Sequence, residues 1–391
     1  MKPREIVVDL VKAAFVVLIV KVTASSSILI PWNATIDNLC IAFALCVTFA
    51  KLCRLTLPLR NLMVLGIMAL VSLYTCVSMG QYDLLVTVVA VCLLIDEDLE
   101  VDFTLDDDPD DAPAEVPDEP EYGHIVAAGF LSLIRVDSLF WIWTYRGRRF
   151  NGGFTHPNVL SCYILSCMLM FAWQRFRRIT ANQFGWMVLI TVLTYAMTRS
   201  RTGLLLNLFL LLLLFLTQNE HALVVKLLNP VLLVLFPGLT ALIFWAQKHF
   251  VSGSSIALLL DDLLTGRIKY AAYAYLRSGT SLLPRYLDYA DSGVVSWSPE
   301  WNLNTFTFDN LYSFMFIQMG IIWIGITTML IIFVCRRFDF RNKIFVLIWI
   351  LYAIVEVHGL NCFKFFPLIL LSTLLSGEAS ASKQQTANQN Q

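Results

Sequence analysis

Apolar runs of membrane-crossing length recur along almost the whole chain, separated by short polar breaks. A helix needs ~20 mostly apolar residues to span the hydrocarbon of a bilayer. The pattern therefore predicts spans near 6–28, 36–53, 61–79, 82–95, 124–143, 158–174, 184–198, 203–217, 225–246, 310–334, 344–358 and 363–376. The fourth, seventh and eighth runs are short, so the count is about 12, within a range of roughly 10 to 13. The expected fold is an all-α polytopic integral membrane protein. Two polar stretches interrupt it and set the expected divisions. These are helices over 1–95, an acidic linker over 96–122, helices over 123–246, a large loop over 247–308, helices over 309–376 and a tail over 377–391.

Composition agrees with the pattern. The chain has 391 residues, 58% of them hydrophobic and 15% charged, with a mean hydropathy of +0.69, which excludes a soluble globular domain of this size. No cleavable signal peptide is evident, so the first apolar run is expected to remain as a span. The nine cysteines lie in or beside apolar runs without a CxxC pair. They read as small apolar residues rather than as disulfides or metal ligands.

The net charge of −1 conceals an asymmetry. Fourteen of the 29 acidic residues lie between Asp96 and Glu121, with no lysine or arginine among them, leaving 15 acids elsewhere against 28 basic residues. An acid- and proline-rich block of this kind reads as a solvated cytoplasmic linker. Calcium binding is the other reading, but the spacing does not fit an EF-hand loop.

Basic residues orient the chain, because short cytoplasmic loops carry the excess of lysine and arginine. Lys2, Arg4, Lys51, Arg54 and Arg60 flank one side of the early spans, and the opposite loops near Pro31–Thr35 and Met79–Tyr82 carry none. Both termini are then expected in the cytoplasm. That orientation puts Arg146, Arg148, Arg149, Arg199 and Arg201 outside, together with the 247–308 connection and its Arg267, Lys269, Arg277 and Arg285. Arginine is scarce on that side, and its fork suits phosphate oxygens. An anionic ligand is one reading, and contact with lipid headgroups or the loop's own acids is the other.

Four segments carry candidate chemistry. Gly152, Gly153, His156, Pro157 and Asn158 lie at the head of a span, where glycines let backbone amides approach an anion and proline suits the first helical turn. This is equally an ordinary loop-to-helix junction, with His156 structural. In Thr198–Gly203, Arg199 and Arg201 adjoin the start of a helix, which attracts phosphate. The 247–308 connection opens with an amphipathic stretch, 256–264, then Thr265, Gly266 and Arg267. Its tyrosines, tryptophans and phenylalanines suit sugar rings or a membrane-interface belt. Asp309, followed by Asn310 and Tyr312, opens the next span; its carboxylate either takes a proton from a hydroxyl or caps the helix. No P-loop, HExxH, CxxC or nucleophile elbow is present, and nothing points to nucleic acid, metal or another cofactor.

Taken in order, these segments resemble the O-antigen ligase and Wzy-type polymerase superfamily. Gly-Gly-Phe-Thr-His-Pro-Asn is similar to its G-x-F-x-x-P-N segment. Thr-Arg-Ser-Arg-Thr-Gly is similar to its S-R-[GST] turn, and the Gly-Arg at Arg267 to its outer-loop motif. Asp-Asn-Leu-Tyr, with Gly320 and Gly325 beyond, is similar to its [HD]-N-x-Y…G-x-x-G run. The resemblance runs from about Arg135 to Leu330. It implies a GT-C-like architecture in a bacterial plasma membrane and a metal-independent glycosyltransferase. The implied reaction transfers a growing glycan from undecaprenyl pyrophosphate to the next lipid-linked unit, in exopolysaccharide or capsule synthesis. Arg148, Arg199, Arg201 and Arg267 would neutralise the pyrophosphate, with Gly153, His156, Asn158, Asn310 and Tyr312 supporting. A chain-length regulator and a flippase are the implied protein partners. Ligases carry histidine where this chain has Asp309, which favours a repeat-unit polymerase and places the base at Asp309. A glycan ligase is the alternative within the superfamily, and a transporter or lipid-linked oligosaccharide flippase the alternative outside it. The absence of an internal repeat and the mostly clean mid-span regions weigh against the latter.

Overall fold

The computed structural model describes residues 3–27, 33–55, 57–95, 140–144, 147–218, 222–287 and 308–375. Their apolar runs fold as helices: α1 (Pro3–Ser25), α2 (Ala34–Leu52), α3 (Leu59–Met79) and α4 (Asp83–Leu94), then α5 (Pro157–Gln174), α6 (Ala181–Thr198), α7 (Arg201–Gln218) and α8 (Ala222–Phe250). Two shorter helices follow, α9 (Ser255–Leu263) and α10 (Arg267–Ser278). The last group is α11 (Leu311–Phe314), α12 (Ile321–Arg337), α13 (Phe340–Tyr352) and α14 (Leu371–Leu375). The acidic segment 96–121 and the 377–391 tail lie outside the described residues, as do Arg135, Arg146 and most of the aromatic loop beyond Leu287.

Among the described residues, three helices are long and apolar enough to cross a membrane: Ala34–Leu52, Leu59–Met79 and the Lys226–Phe250 part of α8. Their flanks carry large apolar side chains with no protein against them, Phe49 at 71% exposure and Val77 at 79%. Such surface suits lipid rather than water. By contrast α4 is buried on every face from Leu84 to Leu93, as a helix that is apolar all round should be.

Four departures from the expected spans matter for the site. First, Trp141–Thr144 is a strand, not the end of a 124–143 helix. It pairs antiparallel with Gly147–Phe150, Ile142 opposite Arg149 and Trp143 opposite Arg148. We call the strands β1 and β2. Second, the expected 310–334 helix is broken. After α11 the chain makes a wide π turn over Met315–Met319, reaches φ +93° at Gly320 and restarts as α12. A Cβ at Gly320 would stand 2.5 Å from the Leu282 carbonyl oxygen. The crossing segment 281–285 replaces the lost helical bonds: Ser281 N–H donates to Phe316 O, and Ile321 N–H donates to Ser281 O. Arg285 donates to the carbonyls of Ser278, Gly279 and Ile317, so its role is to brace this break.

Third, the expected 344–358 span ends at Tyr352. Residues 353–365 form a compact turn, held to α13 by Trp349 Nε1–H donating to Gly359 O at 2.8 Å and by Tyr352 stacking on Phe365 at 3.9 Å. Fourth, the expected 363–376 span is a short 3-10 turn, Phe366–Leu370, leading into the brief α14. The preceding 353–365 turn is tied to α4 through Asp83, which accepts from Asn361 at 2.8 Å and pairs with Lys364 at 3.3 Å.

These ties, together with Lys21 to Asp37 between α1 and α2, Ser27 to Gly153 and Trp323 to Thr75, gather one end of the bundle. The end of α1, the starts of α4, α5, α7 and α12, the ends of α3, α6, α8 and α13, and the β hairpin all meet there.

Candidate active site

The hairpin explains the first contact. Successive strand residues face opposite sides, so Arg148 and Arg149 diverge. Arg148 is exposed, its guanidinium 5.1 Å from the centre of the Trp141 ring. Arg149 is only 3% exposed. Its Nε–H donates to Thr198 O, the last carbonyl of α6, at 2.5 Å, and its Nη2 donates to Asn158 Oδ1 at 3.0 Å. A cation at a helix C-terminus meets orphan carbonyls and the negative end of the helix dipole. Arg149 therefore joins two segments that resemble superfamily motifs.

The head of α5 provides the next link. His156 is its N-cap, in extended conformation, with Nδ1 accepting from Asn158 N–H at 3.2 Å. An accepting Nδ1 leaves the ring proton on Nε2. Burial, reinforced by nearby Arg149, pushes the imidazole below its usual value, with Asp309 opposing. Gly152 and Gly153 have φ of +59° and +82°, the left-handed region that glycine enters without strain. They turn the chain from β2 into the cap.

Asn158 reaches a residue that the sequence reading did not single out. Its Nδ2–H donates to Glu356 Oε1 at 3.4 Å, and Nη2 of Arg267 lies 3.7 Å from the same oxygen. Glu356 is 8% exposed and lies in the turn beyond α13. Burial pushes its carboxyl up to about 8. The negative charge of Asp309 pushes the same way, while Arg267 and the Asn158 hydrogen bond oppose. A sequence signal existed: Glu356 is the sole acid between Asp339 and Glu378, in a mostly apolar stretch. Lone carboxylates in such stretches are costly and tend to be functional.

Arg267 opens α10. Its Nε–H donates to Val355 O at 2.8 Å, and Nη1 donates to Leu264 O at 3.0 Å and to Thr265 Oγ1 at 2.5 Å. Most of its five N–H groups are thus engaged within the protein. Asp261 in α9 steadies the same junction by accepting from Lys269 N–H at 2.7 Å. Burial raises the Asp261 carboxyl, against the bonds from Lys269 and Ile268.

The cap reading of Asp309 is corrected here. The N-cap of α11 is Asn310, whose Oδ1 accepts from Ser313 N–H at 3.1 Å. Leu311 N–H donates to Ala353 O at 2.9 Å, which brings this segment against the Glu356 turn. Asp309 is half-buried and acts electrostatically on both His156 and Glu356. Tyr312 is buried, its hydroxyl donating to Ile350 O at 2.9 Å, a packing role. The Nδ2 end of the Asn310 side chain and the hydroxyl of Ser313 are buried with no hydrogen-bond partner among the described residues.

Arg199 and Arg201 are exposed. Arg199 takes the left-handed conformation, φ +49°, that ends α6, and Arg201 is the first residue of α7. They adjoin the cluster through Thr198. Gly203 packs so closely on α5 that a Cβ there would overlap Ser161 Oγ. The small residue sets the α5–α7 approach.

The site therefore brings together Arg149, His156, Asn158, Arg267, Asp309 and Glu356. Arg199 and Arg201 stand at its rim, Arg148 is turned away on Trp141, and Gly153, Asn310 and Tyr312 support the backbone. Among the described residues no group of three histidine, cysteine or acidic side chains is placed to hold a metal. In comparisons with protein-family models, curated proteins and solved structures, the chain matches none.

Proposed function

We propose that the protein is a membrane glycosyltransferase that polymerises lipid-linked repeat units. The growing glycan leaves undecaprenyl pyrophosphate for a hydroxyl of the next lipid-linked unit, on the outer face of a bacterial plasma membrane. The chain crosses the membrane several times, with both termini in the cytoplasm. One observation carries this reading. Four segments scattered from Gly152 to Tyr312, which resemble motifs of one superfamily, are brought to one end of the bundle around Glu356. That end holds cations for a leaving anion and carboxylates for a departing proton, which are the two charges that sugar transfer from pyrophosphate develops. Arg199 and Arg201, exposed at the rim, would meet the pyrophosphate.

Substitution of Arg199 and Arg201 by alanine in a producing strain tests this. Loss of long-chain glycan with accumulation of single lipid-linked units on the outer face is expected. Normal chain length, with the variant present in the membrane, overturns the pyrophosphate role. Accumulation of units on the inner face identifies a flippase, and intact polymer that fails to reach its final acceptor identifies a ligase.

A further inference from the structure

We infer that Glu356, not Asp309, is the group that takes the proton from the acceptor hydroxyl, and that Arg267 is its positioning residue rather than a pyrophosphate ligand. This rests on the transferase reading and assigns roles within its site.

The two arginines that a sequence comparison would treat alike are used differently. Arg267 spends Nε and Nη1 on Val355 O, Leu264 O and Thr265 Oγ1, and turns Nη2 toward Glu356. These bonds fix the carboxylate from behind, through both its own backbone neighbour and its side chain. Glu356 is held but not saturated. An ionised carboxylate accepts about four hydrogen bonds, and among the described residues this one receives a single long bond of 3.4 Å from Asn158 and an ion pair of 3.7 Å. A buried carboxylate with spare acceptor capacity is costly unless another donor arrives, and a sugar hydroxyl is such a donor. Nearby, Asn310 Nδ2 and the Ser313 hydroxyl are buried and unpartnered among the described residues. They lie on the segment that docks against the Glu356 turn through Leu311 N–H and Ala353 O. Spare acceptor capacity on Glu356 and two groups without a partner among the described residues, Asn310 Nδ2 and Ser313 Oγ, favour a polar ligand with several hydroxyls.

The step balances as follows. The acceptor hydroxyl oxygen bonds to the anomeric carbon of the donor glycan. The bond from that carbon to the pyrophosphate oxygen breaks, and its electron pair leaves with the pyrophosphate. The hydroxyl proton passes to a Glu356 carboxylate oxygen and is then released to water. The titratable groups around Glu356 are Arg267 from α10, Asp309 before α11, Tyr352 at the end of α13 and Cys162 in α5. Asp309 raises the proton affinity of Glu356.

The test uses the purified full chain in proteoliposomes, with lipid-pyrophosphate-linked units extracted from polymerase-deficient cells and chain extension read on gels. Glu356→Gln keeps the size of the side chain and can still meet Asn158 and a hydroxyl, but it accepts no proton. A loss in kcat of about 100-fold or more is expected, with KM little changed and a melting temperature at or above that of the wild type. Asp309→Asn is expected to fall less. Extension by Glu356→Gln within twofold of wild type overturns the assignment alone; a wild-type protein that joins no units overturns the transferase reading as well. Should Glu356→Gln not fold, Glu356→Asp and the wild-type pH profile decide. A rate that rises with pH through one ionisation, displaced in Glu356→Asp, supports the role. A profile identical in the two proteins overturns it.

Discussion

Nη2 of Arg267 stands 3.7 Å from Oε1 of Glu356, and the same guanidinium holds the carbonyl of Val355 beside it. The pair locks the start of α10 to the turn beyond α13. Above about pH 8, where Glu356 is ionised, removing Arg267 leaves that carboxylate buried and unpaired, which costs ~3–5 kcal/mol, more than the pair itself contributes. Arg267→Met should therefore lower the melting temperature sharply, and Arg267→Lys should not restore it, because a lysine cannot reproduce the fork. The double variant Arg267→Met/Glu356→Gln should recover much of the loss. Thermal unfolding of the purified protein checks this, and additive losses in the double variant would refute the coupling.

Arg149 and Arg148 are adjacent in sequence and opposite in consequence. Arg149→Ala strips donors from Thr198 O and Asn158 Oδ1, and each buried group deprived of a partner costs ~1–3 kcal/mol. Arg148→Ala removes an exposed cation–π contact worth ~0.5–1 kcal/mol. The expected result is a large drop in melting temperature and glycan chain length for Arg149→Ala, with little change for Arg148→Ala. Equal effects would mean that the hairpin does not sort the two side chains.

Gly203→Ala drives a methyl into Ser161 Oγ, and overpacking of this kind costs ~1–3 kcal/mol. Removing the hydroxyl relieves it, since Ser161 Cβ is 3.3 Å from the added carbon. The pair Gly203→Ala/Ser161→Ala should thus melt closer to wild type than Gly203→Ala alone, as read by thermal unfolding in detergent.

Glu356 makes stability depend on pH. Its folded value, about 8, lies above its usual 4.5, so the native state retains a proton that the unfolded chain releases. The stability this contributes is fully present below about pH 4.5, falls as pH rises, and is lost once pH passes about 8. The melting temperature should decline between roughly pH 4.5 and 8. Glu356→Gln, which has nothing to titrate, should show a shallower slope over the same interval. An unchanged slope would show that Glu356 is ionised throughout.

The chain's apolar runs, read at the length that a bilayer demands, placed helices over most of the described residues. Pro157 at the first turn of α5 and Gly203 in the α7 start were visible as local chemistry. The break at Gly320 was not, because Met315–Met319 and Ile321–Ile324 are as apolar as an unbroken span. What breaks it is the segment 281–285, which lies against it and offers other hydrogen-bond partners. Asn310 rather than Asp309 caps α11 for a similar reason: both residue types favour the position, and backbone geometry chooses between them.

Hydropathy and charge spacing, being one-dimensional, were sufficient to determine that this is a helical protein with segments of membrane-crossing length and basic residues in unexpected loops. They located the segments that meet at one end of the bundle. Only the tertiary structure decided which charges share that end, since this depends on contacts between residues far apart in the chain. It put Arg149 inside and Arg148 outside through the alternation of a strand. It also folded the turn beyond α13 back over the head of α5, bringing Glu356 to Asn158 and Arg267.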